Sequence, residues 1–156
     1  MKEIKCPQVY YEEREKSIFL AGGISNCPDW QEEMVKLLKI SDLTLINPRR
    51  EDFIMNDLKI EEEQITWEFE HLKKSGAVLF WFPKETLCPI TLYELGKQSM
   101  PDKPIFIGIE PEYKRQRDVE IQTRLARPEI KIVYSLKDLS EQVLLWEQKS
   151  LKLLEI

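Results

Sequence analysis

Histidine occurs once in this chain, at His71, and cysteine three times, at Cys6, Cys27 and Cys88. Thiols odd in number and widely spaced, with one imidazole beside them, do not complete a zinc set, so no metal and no other cofactor is expected. Long apolar runs are also missing. The longest, Ala77-Val-Leu-Phe-Trp-Phe82, falls far short of the roughly 20 residues a membrane-spanning helix needs. The opening residues, Met1-Lys-Glu-Ile-Lys-Cys6, have no apolar secretory core. Charge of one sign is not concentrated anywhere: 23 basic and 28 acidic residues are spread along the chain for a net charge of -5, with no basic block to track a phosphate backbone. The expectation is a cytoplasmic protein with neither a membrane nor duplex nucleic acid as partner. Its 156 residues suit one domain, able to bury roughly 70% of its unfolded surface without a disulfide or metal.

What is present reads as strands alternating with helices. Residues 1–16 are polar, broken by Pro7, and are expected to form a loosely ordered arm. Residues 17–21 form a buried strand that ends at Gly22-Gly23. Asp29-Trp-Gln-Glu32 has the spacing of a helix N-cap, and the helix it opens ends near Lys39. Residues 43–46 make a second strand, stopped by Asn47-Pro48, and residues 51–59 are irregular. From about Ile60 a helical pattern places Ile65, Phe69 and Leu72 on one stripe, and Gly76 closes it. Residues 77–82 are the third and central strand. A helix over residues 90–100, a strand over 103–108, a charged helical stretch over 115–126 and a fifth strand over 130–134 follow. Ser135 then caps a last helix in which Leu139, Val143, Leu144, Trp146 and Leu151 recur.

This alternation predicts an α/β fold: a flavodoxin-like, Rossmann-like five-stranded parallel sheet in the order 2-1-3-4-5, with helices on both faces. Ligands in such sheets bind beyond the carboxyl ends of the strands where the first and third diverge. The loops there, residues 22–29 and 83–89, frame the expected site. Gly22 and Gly23 make a tight turn or let the backbone approach a sugar or phosphate, with Ser25 supplying a hydroxyl. Asn47, Arg49 and Arg50 lie just past the second strand. Trp30 and Trp81 either stack on a base or pack on the sheet. Cys27 and Cys88 read as small buried side chains rather than reactive thiols. His71 either shares a face with Glu68 or complements a helix dipole.

Glu94 has two readings. Thr91-Leu-Tyr-Glu94 is a capping-box signature, in which Glu94 satisfies the Thr91 N–H. The other reading is chemical: a carboxylate beneath a sugar stabilises or traps an oxocarbenium ion, while a second carboxyl protonates the leaving group.

Taken together and in order, Ile18-Phe-Leu-Ala-Gly-Gly-Ile24, Asp29-Trp-Gln31, Asn47-Pro-Arg-Arg50, Thr66-Trp-Glu-Phe-Glu70 and Pro89-Ile-Thr-Leu-Tyr-Glu-Leu-Gly96 resemble the nucleoside 2-deoxyribosyltransferase superfamily over roughly residues 17–110. The resemblance implies a flavodoxin-like, usually oligomeric enzyme that cleaves or exchanges the N-glycosidic bond of a nucleoside or nucleotide. It implies Glu94 as nucleophile and Glu68 as the acid that handles the base, with Gly22, Gly23, Ser25, Asp29, Trp30, Asn47, Arg49 and Tyr93 binding substrate. Three departures stand out: Phe19 falls where the family carries a tyrosine that bonds the nucleophile, Cys88 where it has a base-recognising acid, and the Gly-Gly loop lacks a phosphate-binding arginine. Tyr93 is one candidate for the missing hydroxyl contact. The alternative from another class is a non-catalytic nucleotide-sensing module on the same fold.

Overall fold

Six consecutive buried apolar residues make an interior strand of the sheet, β4 (Ala77–Phe82). In the computed structural model, which describes residues 1–11, 16–51, 57–100 and 102–154, β4 pairs in parallel with β2 (Ser17–Gly22) on one side and β5 (Ile105–Ile109) on the other. Beyond β2 lies β3 (Thr44–Asn47) and, outermost, β1 (Lys2–Lys5), giving the all-parallel order β1-β3-β2-β4-β5.

Side chains alternate across the strands and so feed two cores. On one face Phe19, Ile46, Val78, Phe80, Phe82 and Ile107 pack beneath α2 (Leu58–Lys74), α3 (Pro89–Gln98) and α4 (Gln116–Ala126), which contribute Trp67, Leu95 and Val119. On the other, Ile18, Leu20, Leu45, Leu79 and Trp81 meet α1 (Trp30–Leu37) and α5 (Leu136–Leu154) through Met34, Leu139 and Val143. The expected α/β architecture is present, with its order changed at both edges.

The first change is an added strand. Residues 2–5, expected to lie in a loose arm, pair with β3 in the register Lys2↔Thr44 to Lys5↔Asn47. Only Ile4 and Cys6 turn inward, while charged neighbours blunt the exposed edge. Residues 12–15 of that arm lie outside the described residues. The second change is a lost strand: of residues 130–134, only Val133 bridges β5, at Gly108. The Ile130 N–H turns back to the Arg127 carbonyl, and the Lys131 carbonyl accepts from the Gln142 side chain, so this backbone is committed elsewhere.

The caps expected at Asp29 and Ser135 form, each accepting an N–H three residues on, from Glu32 and Asp138. α2 starts earlier than its apolar pattern suggested, because Asp57 accepts from the Lys59 and Ile60 N–H groups. Residues 52–56 of the stretch expected to be irregular, and the Leu151 side chain, lie outside the described residues. The buried stripe of α2 is Gln64, Trp67, His71 and Leu72, whereas Ile65 and Phe69 are exposed. At its end Ser75 is the cap, and the Gly76 N–H bonds the Ser17 hydroxyl.

Candidate active site

α3 begins at Pro89, with Cys88 as its N-cap in the left-handed conformation (φ 48, ψ 53) and proline in the first turn, where its missing N–H costs nothing. The cap is therefore Cys88, and Thr91 is the third, buried residue of the helix rather than the N-cap that a capping box with Glu94 requires. The capping-box reading of Glu94 is overturned by this start. Glu94 instead occupies the second turn of α3, partly buried, on the side that meets α2.

The two helices touch here: the Lys97 ammonium of α3 lies 4.2 Å from the centroid of the Phe69 ring of α2. Glu68, beside Phe69, is close enough for its charge to act on Glu94. Burial, and then that charge, raise the Glu94 pKa to about 8, against a small opposing pull from Lys97. Burial also raises Glu68, countered by a hydrogen bond from Gln64. Two carboxyls held this way titrate as a pair, the charge on one opposing ionisation of the other. Gln64 stands outside the sequence motifs, although its i, i+4 spacing to Glu68 is the signal that could have found it.

The loops expected to frame the site meet each other. A Cβ on Gly23 would come within 2.8 Å of Pro83 Cγ, 2.9 Å of Thr86 Cγ2 and 3.0 Å of Cys88 Sγ. On Gly22 it would lie 2.5 Å from both the Trp30 ring and the Trp81 carbonyl oxygen. Close approach explains both glycines; neither has a positive φ. Gly22→Ala is expected to cost about 2–3 kcal/mol, since the Trp81 backbone cannot yield; an unchanged denaturant midpoint would contradict this.

Several expected contact residues are committed within the protein. Trp30 is 2% exposed and donates its indole N–H to the Gly23 carbonyl at 2.8 Å, and Trp81 lies in the same core, so neither ring has a face open to a base. Asp29 caps α1 and pairs with Arg49 at 3.2 Å. Arg49 also bonds Gln31 Oε1 and the Pro28 carbonyl, clamping the loop after β2 to the end of β3. Asn47 is buried, donating to Glu3 and accepting from the Arg49 N–H. Arg50 pairs with Glu63 at 2.8 Å. Ser25 is exposed on its loop.

A family model described as nucleoside 2-deoxyribosyltransferase like matches residues 15–113 of the 156, a span that includes both carboxyls and both framing loops. The chain belongs to this family. A search of the curated proteins found no match. Membership in the deoxyribosyltransferase-like family points to nucleoside glycosyl chemistry.

Against that family background, Phe19 is buried, packing on Trp67 with ring centroids 6.3 Å apart, and brings no hydroxyl to Glu94. Tyr93 does not replace it, being 72% exposed on the outer side of α3. Burial pushes the Cys88 thiol up to about 12 and raises Cys27, so both stay protonated at neutral pH. His71 is buried away from the pair. Its Nε2 accepts the Tyr10 N–H, which leaves Nδ1 to donate to the Trp67 carbonyl. The ring is therefore neutral and bonded at both nitrogens, which gives no charge to the helix dipole and ties the N-terminal segment to α2. A groove of about 500 Å³ lies on that side of α2, lined by Pro7, Val9, Trp67 and His71, and neither Glu68 nor Glu94 reaches it. Among the described residues no cluster of three or more histidine, cysteine or acidic side chains could hold a metal, and no helix is long and apolar enough to cross a membrane.

Proposed function

We propose that the protein cleaves or exchanges the N-glycosidic bond of a small-molecule nucleoside or nucleotide, with Glu94 as nucleophile and Glu68 as the acid for the leaving base. The observation that carries this reading is the convergence of these two carboxyls at the seam of α2 and α3, where burial raises both and the charge of Glu68 further raises Glu94. Such a pair offers both partners the reaction needs at once.

In the first step, with the pair's proton moved from Glu94 to Glu68, the Glu94 carboxylate attacks C1′ as the C1′–N bond breaks, and that proton passes from Glu68 to the departing base. A glycosyl ester on Glu94 results, with Glu68 now ionised. In the second step Glu68 takes the proton of the acceptor, whose oxygen or nitrogen attacks C1′ and releases Glu94. Water as acceptor makes the enzyme a hydrolase, and a second base makes it a transferase. The test is release of free base from a panel of nucleosides, nucleoside monophosphates and NAD, with and without an acceptor base. Base release supports the reading, and silence across the panel overturns it. Thermal stabilisation by those ligands without turnover would favour the non-catalytic sensing module.

We also infer that the protein assembles as a homo-oligomer through exposed apolar side chains of α2 and α3. Ile65 and Phe69 on α2 and Ile90 and Tyr93 on α3 are large apolar side chains left 48–72% exposed. Light scattering is expected to give a dimer or larger species, reduced to monomer by Ile90→Glu; a monomeric wild type contradicts the proposal.

A further inference from the structure

Gln64 is buried in α2, yet every polar atom of its side chain is used. Its Nε2 lies 2.8 Å from the Pro48 carbonyl oxygen and 2.6 Å from Glu68 Oε1, and its Oε1 accepts from the Cys6 thiol at 3.0 Å. A carbonyl only accepts, so the amide must turn its nitrogen toward Pro48, and the second N–H then points at Glu68. The orientation is imposed from three directions: by the segment after β1, by the end of β3 and by α2 itself.

We propose that Gln64 is a positioning residue for the carboxyl pair, its fixed amide holding Glu68 Oε1 so that Oε2 is the oxygen that carries and delivers the proton. This rests on the reading of Glu68 as the acid. An oxygen already accepting a short N–H bond is a poor seat for a proton, whereas its partner oxygen is free to take one. The same bond favours the ionised form, keeping Glu68 acidic enough to release its proton despite burial. Burial and the Gln64 amide act on Glu68, from α2 itself, while across the seam the charge of Glu68 opposes ionisation of Glu94 and Lys97 favours it.

Gln64→Leu keeps the bulk and removes the donor. The expected result is a kcat at least about 10-fold lower, with KM little changed. The alkaline limb of the kcat/KM profile should move up by about 1 pH unit, the size of shift that losing a hydrogen bond to a charged group produces. Cys6→Ser, which keeps a donor to Gln64, should leave that limb in place. A role confined to tying α2 to Pro48 would lower Tm in Gln64→Leu but leave its pH profile superimposable on the wild type, and that result overturns the proposal. Should Gln64→Leu not fold, the ¹⁵N-labelled wild type decides. Its Gln64 side-chain amide signal is expected downfield and titrating with the carboxyl pair, and a signal that stays still across that range overturns the proposal. Because this readout needs no turnover, it also separates the two ideas: a wild type silent on the nucleoside panel sinks the proposed function, while the amide titration still decides the role of Gln64.

Discussion

Glu94→Gln is expected to remove turnover, by about 10³-fold or more, and to make the protein more stable at alkaline pH. The first effect follows from the chemistry, since an amide of the same shape cannot form the glycosyl ester. The second follows from the sign of the pKa shift. The folded-state value of about 8 lies above the ordinary 4.5, so between those values the native protein keeps a proton that the unfolded chain has lost. Native stability therefore falls as pH climbs from about 4.5 to about 8, and above that the full penalty of the buried charge remains. Glutamine carries no such penalty. Melting curves of the two proteins should converge near pH 4 and separate by roughly 2–4 kcal/mol at pH 8, in favour of the variant.

Loss of activity with gain of stability at one isosteric position is what a site kept for function at the expense of folding looks like. A merely structural Glu94 gives the opposite pattern. It cannot be a cap, because the helix starts at Pro89 and Thr91 already lies within it. Wild-type turnover in Glu94→Gln, or identical pH dependence of the two melting curves, would remove Glu94 from the mechanism.

What the sequence made legible, and what it hid, divides along physical lines. The interior strand β4 was visible because burial on both faces demands an unbroken apolar run, and residues 77–82 supply one. Asp29 and Ser135 marked helix starts because capping is a local bond between residues three apart. β1 was hidden because an edge strand needs few inward apolar residues, and Lys2-Glu-Ile-Lys5 offers only Ile4. The buried face of α2 was misread for a related reason. Gln64 and His71 are interior only because Pro48, Cys6, Tyr10 and Trp67 satisfy their polar atoms, and periodicity cannot see such partners. The apolar Ile65 and Phe69, which periodicity did see, face outward at the seam. Motif order pointed to Glu68 and Glu94, but that the two share one electrostatic environment required the packing of α2 on α3. The roles of Trp30, Asn47 and Arg49 were equally out of reach, since each is fixed by partners brought near only by the fold.

Glu68→Gln separates the acid from the nucleophile. The substitution should leave the local geometry in place, because the amide oxygen can still accept from Gln64 Nε2 as Glu68 Oε1 does. It removes the charge that, after burial, raises Glu94, so the Glu94 pKa drops and the acidic limb of kcat/KM moves to lower pH. At the same time the leaving base loses its proton donor. Turnover of an ordinary nucleoside is expected to fall by about 10²–10⁴-fold, the usual worth of general acid catalysis. A nitrophenyl 2-deoxyriboside, whose leaving group departs without a proton, should lose far less. The contrast between the two substrates carries the argument. If Glu68 only supported the helix seam, both substrates would suffer equally and the acidic limb would not move. If Glu68 is the acid, the nitrophenyl substrate also reports the Glu94 titration free of the proton-donor step, and the distance between its acidic limbs in the wild type and the variant measures the electrostatic coupling across α2 and α3.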